Sequence, residues 1–292
     1  MRPRISVVIP VWNGESRIAA TLNALATQTA KADTFEVIVV DNGSTDRTAE
    51  IVQSYDFVTL LSEPKPGSYR ARNRGVDRAQ GEYILFTDGD CVPTCQWVDQ
   101  ALVEIDRDHV GIGIWAGQIT MFIDEGGAFF SSRYDKLLNG FDQERNSAGG
   151  RCVTANWLCK RDNLLKIGGF NNDALSGGDV DCASRFVAAG YRIRYAPKMT
   201  VGHPTRANLL ELVRKRRRVI GGRWMLRGVA QEGIRRAIFL CTQEYFRQAK
   251  RVLKSNIELW AKPGVLMIVL SLFLVSNYEL LRLAAGRAAY RS

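Results

Sequence analysis

Two carboxylates on either side of one glycine, Asp88 and Asp90, are the most chemically suggestive group in this sequence. Carboxylates placed around a glycine can bind a hard divalent cation, and such a cation keeps coordination positions open for phosphate oxygens. The spacing therefore predicts a site for a metal ion and a diphosphate. Because Asp-Gly is also a common turn pair, a surface turn is the alternative interpretation.

The elements that would position these carboxylates predict an α/β fold. Residues 83–86 form an aromatic and β-branched run typical of a strand buried on both faces, and ligands bind at the carboxyl ends of such strands. Other strands are predicted over residues 5–11, 35–40, 58–61 and 111–122, and helices over residues 17–29, 48–55 and 97–106. This alternation indicates a parallel sheet. The absence of G-x-G-x-x-G and P-loop motifs disfavours dinucleotide oxidoreductases and P-loop ATPases.

Three arginines, Arg70, Arg72 and Arg74, precede the buried strand. Helical spacing would place Arg70 and Arg74 on one face and Arg72 on another. One of them could contact a nucleotide or its phosphates, and a solvated basic turn is the alternative. Farther along, residues 131–147 are predicted to be a polar, mobile segment, and residues 191–195 an edge strand.

Four segments occur in the order and spacing of a known enzyme family: residues 5–14, 39–46, 71–75 and 81–90. Over residues 4–205 the chain resembles glycosyltransferase family 2, whose members are inverting, nucleotide-sugar-dependent enzymes. The resemblance implies the GT-A fold, a Rossmann-like, mostly parallel sheet flanked by helices. It also implies nucleotide contacts, with Asp41 at the base, and the remaining predicted nucleotide-binding residues are Pro10, Val11, Asn13, Ser44, Arg72, Asp88 and Gly89.

The same resemblance implies a metal centre. Asp88 and Asp90 would bind Mg²⁺ or Mn²⁺, with Asp90 the closer ligand. His203, one of two histidines, lies where the family often has a histidine near the metal and the diphosphate. A lone histidine is more often structural, so both interpretations of His203 stay open.

A second acidic motif follows at residues 175–185 and resembles the family's Gly-Glu-Asp-x-Asp, with Gly178 in place of the usual glutamate. The resemblance implies that Asp179 takes the proton from the acceptor hydroxyl. Either Asp179 or Asp181 could instead cap the following helix, and capping is favoured for Asp181. The predicted acceptor-binding residues are Asn156, Trp157 and Asp181.

Charge divides the chain into two predicted regions. Residues 1–205 have 22 Lys and Arg against 25 Asp and Glu, a net −3, whereas residues 206–292 have 18 against 5, a net +13. The basic region reads as amphipathic helices and includes five consecutive cations, Arg214–Arg218, which could also contact an acceptor phosphate. It predicts association with an anionic membrane surface. Nucleic acid is the competing partner, but no nucleic-acid motif accompanies the charge.

Residues 263–278 are uncharged and would span about 24 Å as a helix, short of a bilayer core of ~30 Å. They predict a re-entrant or interfacial helix, a short span or a buried helix. Without a secretory signal, and with six cysteines that form no CxxC pair, the chain is predicted to lie at the cytoplasmic face of the cell membrane. We expect a GT-A domain at residues 1–205 and membrane-associated helices at residues 206–292.

These observations predict a metal-dependent, hexosyltransferase-like enzyme. It would move a sugar from a nucleotide sugar, UDP-linked, to a hydroxyl of a lipid-linked or polysaccharide acceptor in cell-surface glycan synthesis. One alternative is a catalytically inactive nucleotide-sugar-binding or scaffold protein, which the missing glutamate supports. Another is nucleotidyl transfer, although the glycine-rich, lysine-containing loop expected after the first strand is absent. A homo-oligomer is left open.

Overall fold

Eight strands form one sheet in the computed structural model, which describes residues 2–107, 110–124, 126–226 and 233–290. The strands are β1 (Ile5–Val11), β2 (Phe35–Asp41), β3 (Val58–Ser62), β4 (Tyr83–Phe86), β5 (Val92–Pro93), β6 (Ile112–Phe122), β7 (Trp157–Lys160) and β8 (Arg192–Pro204). Their order across the sheet is β3-β2-β1-β4-β7-β6-β8-β5.

The first four strands of this order are parallel, and the rest of the sheet is mixed. β1 pairs in parallel with β2 and β4, and β2 pairs in parallel with β3. β7 is antiparallel to β4 and β6, and β5 is antiparallel to β8. Because parallel strands end at the same edge of a sheet, the loops after β1, β2 and β4 meet there. The predicted α/β class is therefore confirmed.

A helix follows each of the strands β1, β2 and β3, and further helices lie along the rest of the chain. The α-helices of the described residues are α1 (Ile18–Ala26), α2 (Thr48–Gln53), α3 (Ser68–Arg78), α4 (Trp97–Asp106), α5 (Phe129–Leu138), α6 (Gln143–Ala148), α7 (Arg161–Lys166), α8 (Gly178–Ala188), α9 (Leu209–Leu226), α10 (Ile234–Lys254) and α11 (Lys262–Ala284). All residues of β1 and β4 are buried. Strands covered on both faces need continuous apolar runs rather than alternation, which is why these two were recognisable.

The chain divides into two compact units. The first consists of the described residues within 1–120, 141–173 and 178–203, and the second of those within 121–140, 174–177 and 204–292. The second unit thus includes described residues within 121–140, 174–177 and 204–205, which lie inside the predicted GT-A region. Its core lies between α5, α9, α10 and α11 and contains Tyr134, Leu212, Cys241, Tyr245, Val252, Val265, Leu272 and Leu280.

The polar segment at residues 131–147, for which no element was predicted, belongs largely to α5 and α6. Tyr134 is buried, and Leu137 and Leu138 pack against the same core, so an apolar helical face was present among the polar residues. Residues 192–195 begin β8, and β5 pairs with β8 only farther along, at Val201 and Gly202, so the predicted edge strand agrees with the sheet.

The apolar helix near the C-terminus is longer than the uncharged run indicated. α11 has 23 residues, or about 35 Å at 1.5 Å per residue. Within the described chain, one helical stretch, Leu259–Ala284, is long and apolar enough to cross a membrane, although 39% of its apolar window is buried inside the protein. This helix fits the predicted membrane-associated C-terminal region.

Candidate functional site

The loops after β1 and β2 are joined by side chains predicted to bind a nucleotide. The Asn13 amide donates to Ser44 Oγ at 2.8 Å, and the Thr45 amide donates to Asn13 Oδ1 at 2.8 Å. The Ser44 amide in turn donates to Asp41 Oδ1 at 3.2 Å. Asn13 has a positive φ of 48°, which asparagine tolerates better than most residues. Asn13, Asp41 and Ser44 therefore lie together beside Pro10 and Val11, the last residues of β1.

The three arginines of α3 have different surroundings. Arg72 is buried, and its Nη2 donates to Asp88 Oδ1 at 2.5 Å. Arg70 pairs with Asp173, and Arg74 is exposed. The predicted separation of Arg72 from the other two is confirmed. Arg72 alone among them contacts a predicted metal ligand.

Four side chains converge after β4. One ligand atom each from Asp88, Asp90, Cys91 and His203 lies within 4.8 Å of the others. The backbone between the two carboxylates passes close to β1, since a Cβ on Gly89 would lie only 3.0 Å from the Val11 side chain. Two carboxylates are suitable ligands for Mg²⁺ or Mn²⁺, and an imidazole suits a transition metal such as Mn²⁺ better than Mg²⁺. These residues therefore fit the predicted metal.

Cys91 is the member of this cluster that sequence reasoning missed, although it directly follows Asp90. Burial, together with the negative charges of Asp90 and Asp88, raises the pKa of the Cys91 thiol well above its usual value. A protonated thiol is a poor ligand for a hard cation. The fit to Mg²⁺ or Mn²⁺ consequently depends on Asp88, Asp90 and His203. The His203 ring also packs on Phe141, with ring centroids 4.8 Å apart.

The predicted base, Asp179, lies in the first turn of α8. Its Oδ1 accepts hydrogen bonds from the Val180 amide at 2.9 Å and from the Tyr69 hydroxyl at 3.3 Å. Burial raises the pKa of Asp179 above its usual value, and these hydrogen bonds oppose that rise. Tyr69 also lies under the Arg72 guanidinium, 5.5 Å from its ring centroid. A line of contacts thus runs from Asp88 through Arg72 and Tyr69 to Asp179.

Tyr69 explains the glycine that replaces the family's glutamate. A Cβ added to Gly178 would lie 2.8–3.0 Å from three atoms of the Tyr69 ring, closer than real Cβ contacts allow. The ring is held on its other side by Phe170, with centroids 5.7 Å apart. The sequence alone did not identify Tyr69, because its contacts are with Phe170, Gly178 and Asp179, about 100 residues farther along the chain.

Two of the three predicted acceptor-binding residues, Asn156 and Trp157, are buried. Asn156 is fully buried, accepts from Trp97 Nε1 at 2.9 Å and donates to the Gln118 and Met199 carbonyls, both at 2.8 Å. Trp157 is also fully buried. Burial of both side chains argues against contact with an acceptor, and the hydrogen bonds of Asn156 instead join α4 to β6 and β8. Asp181 lies in the first turn of α8, pairs with Arg185 at 3.1 Å and is 40% exposed, so its two predicted roles, at the helix N-terminus and toward the acceptor, stay predictions.

Comparison with known proteins agrees with this geometry. The model of glycosyl transferase family 2 matches residues 6–168. The glycosyltransferase AglE of Haloferax volcanii is 36% identical over 77% of this chain and 75% of its own length. The pre-mycofactocin glycosyltransferase of Mycobacterium tuberculosis is 29% identical over 73% of the chain, which spans 45% of that relative.

Solved structures share the fold. Staphylococcus aureus TarS residues 1–349 superpose with a TM-score of 0.55 at 20% identity, over 96% of this chain and 73% of TarS 1–349. The mannosyltransferase PcManGT of Pyrobaculum calidifontis, solved with GDP-Man and Mn²⁺, superposes with a TM-score of 0.57 at 19% identity. The match covers 99% of this chain and 77% of PcManGT. These likenesses confirm the GT-A fold. Because the family model matches more than half of its length, the chain belongs to glycosyltransferase family 2.

Proposed function

We propose that the protein transfers a sugar from a UDP-linked nucleotide sugar to an acceptor hydroxyl, with inversion at the anomeric carbon. The line of contacts from the Asp88 metal cluster through Arg72 and Tyr69 to Asp179 is the observation that supports this most strongly. It joins a site suited to a diphosphate to a carboxylate suited to accept a proton. TarS, solved with UDP-GlcNAc, is a fold neighbour consistent with such a donor.

In the proposed reaction, the acceptor oxygen forms a bond to the anomeric carbon while the bond to the diphosphate breaks. The proton of the acceptor hydroxyl goes to Asp179, which must be ionised to accept it. Asp88, Asp90 and His203 would hold Mg²⁺ or Mn²⁺, which when bound neutralises charge developing on the leaving diphosphate. Asp41 would contact the base, beside Asn13 and Ser44. Arg72 would orient Asp88 and lie near the phosphates.

The second unit provides the argument for an acceptor at the membrane. Five large apolar side chains form an exposed stripe along α11, each 52–64% exposed: Met267, Leu270, Leu274, Tyr278 and Leu281. The opposite face of α11 is packed in the core of the unit. A helix with one face covered by protein suits a position in the membrane interface. We propose that the stripe lies on the cytoplasmic face of an anionic membrane, with a lipid-linked or polysaccharide acceptor in glycan synthesis.

The variant Asp179→Asn tests the proposed reaction. It should lower turnover by about 10²- to 10⁴-fold, because the base is lost. Binding of the UDP-sugar, measured by calorimetry, should change less than twofold, since Asp179 contacts the acceptor oxygen rather than the donor. Asp162→Asn, an exposed carboxylate of α7, is the matched control and should retain turnover. Donor binding without any turnover in the wild-type protein would instead favour an inactive nucleotide-sugar-binding protein.

A further inference from the structure

A group of cations surrounds one buried carboxylate, Asp135 of α5, in the second unit. Asp135 is completely buried, with Lys215 Nζ 3.6 Å from its Oδ1 and Arg206 Nη1 3.8 Å from its Oδ2. The Arg206 amide and Asn139 Nδ2 also donate to Asp135, at 2.9 and 2.8 Å. Two cations therefore share one carboxylate at distances longer than a direct hydrogen bond. A third cation, Arg218, lies near enough for its charge to act on Lys215.

Some hydrogen-bonding groups in the chain segments that carry this cluster are unsatisfied. Arg206 Nη1 and the hydroxyls of Ser132 and Thr205 are buried and have no hydrogen-bond partner in the described part of the chain. Ser132 lies one helical turn before Asp135, and Thr205 directly precedes Arg206. Buried polar groups are rarely left without a partner in folded proteins. Three potential donors thus lie in the segments that hold the cations.

The positive charges in this group also act against one another. Burial, and after it the charge of Arg206, lower the pKa of Lys215 to about 8. Partly buried cations are stable only when an anion compensates them. The Arg206 and Lys215 side chains remain 21% and 19% exposed, so part of each side chain is accessible to solvent.

We propose that this cluster binds a phosphate or diphosphate group, held by Arg206, Lys215 and Arg218, with the Ser132 and Thr205 hydroxyls as further donors. Guanidinium and ammonium groups make strong charge-assisted hydrogen bonds to phosphate oxygens. Resting on the proposed function, the phosphate belongs to the acceptor, a phosphomonoester or diphosphate carried by a lipid. The cluster uses none of the residues assigned to the donor or the metal.

Calorimetric titration with inorganic pyrophosphate in EDTA tests the anion site without a contribution from the metal centre. Lys215→Met should weaken pyrophosphate binding at least tenfold. Lys254→Met removes the same charge from an exposed position on α10 and should change the affinity less than twofold. Asp90→Asn should bind pyrophosphate with the affinity of the wild-type protein, because the anion cluster does not include Asp90. A failure of the proposed nucleotide site is thereby distinguished from a failure of the anion site. No binding to the wild-type protein, or equal losses in both lysine variants, would overturn it.

Thr205→Val separates ligand binding from folding. The substitution exchanges a hydroxyl that has no hydrogen-bond partner in the described chain for a methyl group of nearly the same size. The melting temperature without anion should therefore stay the same or rise, while pyrophosphate affinity falls about threefold or more. An unchanged affinity, or a lower melting temperature with the affinity retained, would overturn a ligand role for this hydroxyl.

Vesicles distinguish the two sources of phosphate. Neutral phosphatidylcholine vesicles containing 5% dodecyl phosphate present a phosphomonoester, and matched vesicles containing 5% phosphatidylglycerol present an ordinary anionic headgroup. Lys215→Met should weaken binding to the dodecyl phosphate vesicles about tenfold and leave binding to the phosphatidylglycerol vesicles within twofold. Equal losses on both would assign the site to bilayer headgroups and overturn its assignment to the acceptor.

Discussion

At the scale of single residues, Tyr69 connects the proposed metal centre to the proposed base. Its ring packs between Phe170 and Gly178, and its hydroxyl donates to Asp179. Arg72, bound to Asp88, lies over the same ring. The orientation of Asp179 therefore depends on a residue that the family motifs do not include.

Tyr69→Phe should move the acid limb of the pH–rate profile. Burial raises the pKa of Asp179, while the Val180 amide, the charge of Arg72 and the Tyr69 hydroxyl lower it. A base works only when ionised, so kcat/KM falls as the pH drops through this pKa. Losing the Tyr69 hydrogen bond raises the pKa further, and the acid limb should shift to higher pH. Tyr55→Phe is the control, and identical acid limbs in all three proteins would refute the assignment.

A glycine should be needed at position 178 because a larger side chain would collide with the Tyr69 ring, and not because of the backbone conformation there. Gly178→Ala forces a methyl group against the Tyr69 ring and should lower the free energy of unfolding by about 1–3 kcal/mol. In a Tyr69→Ala background the same substitution should lower it by less than about 0.5 kcal/mol. Denaturant unfolding of the four proteins measures both values. Equal losses in the two backgrounds would mean that the ring is not the obstacle.

At the scale of elements, features set by neighbouring residues could be predicted from the sequence, and features set by contacts between distant residues could not. β4 and α4 were predicted closely because burial and helical periodicity are written in consecutive residues. The carboxylates of Asp88 and Asp90 were recognisable for the same reason. The burial of Asn156 and the contacts of Tyr69 and Cys91 depend on partners distant in the chain, so no local pattern indicated them. α5 was missed because serines and charged residues interrupt its apolar face.

Asn156→Ala tests the structural role now given to that residue. Its side chain ties α4 to β6 and β8 through three buried hydrogen bonds. The substitution leaves the Trp97 indole N–H and two carbonyls without this partner, so the free energy of unfolding should fall by about 3 kcal/mol or more. Asn171→Ala, at an exposed turn, should change it by less than about 0.5 kcal/mol. Unchanged stability with a raised KM for the acceptor would restore the original acceptor-binding prediction.

At the scale of the whole molecule, the basic excess is more structured than the sequence indicated. Within the run Arg214–Arg218, Arg216 pairs with Glu244 and Arg217 with Glu279, while Lys215 lies beside Asp135. Arg216 and Arg217 are therefore paired inside the helical unit. The proposed membrane binding would depend more on the exposed cations and on the apolar stripe of α11 than on this run as a whole.

Leu270→Asp should weaken binding to vesicles that contain anionic lipid. The side chain is at the middle of the α11 stripe and is 52% exposed, so the substitution should not disturb the core. It places a charge where an interfacial helix buries apolar surface and adds repulsion from the anionic lipid. Val110→Asp, on the first unit, is the matched control. Co-sedimentation that is unaffected by Leu270→Asp would contradict the proposed orientation of α11.

A thermal-shift titration with UDP tests most directly whether Asp88, Asp90 and His203 form a metal-dependent nucleotide site. UDP at ~100 times its dissociation constant should stabilise the protein by about 2.7 kcal/mol in Mn²⁺ or Mg²⁺. The shift should disappear in EDTA and in Asp90→Asn, and persist in Asp162→Asn. A shift of the same size in EDTA, or in Asp90→Asn, would contradict the proposed metal-dependent site, as would the absence of any shift in well-folded protein.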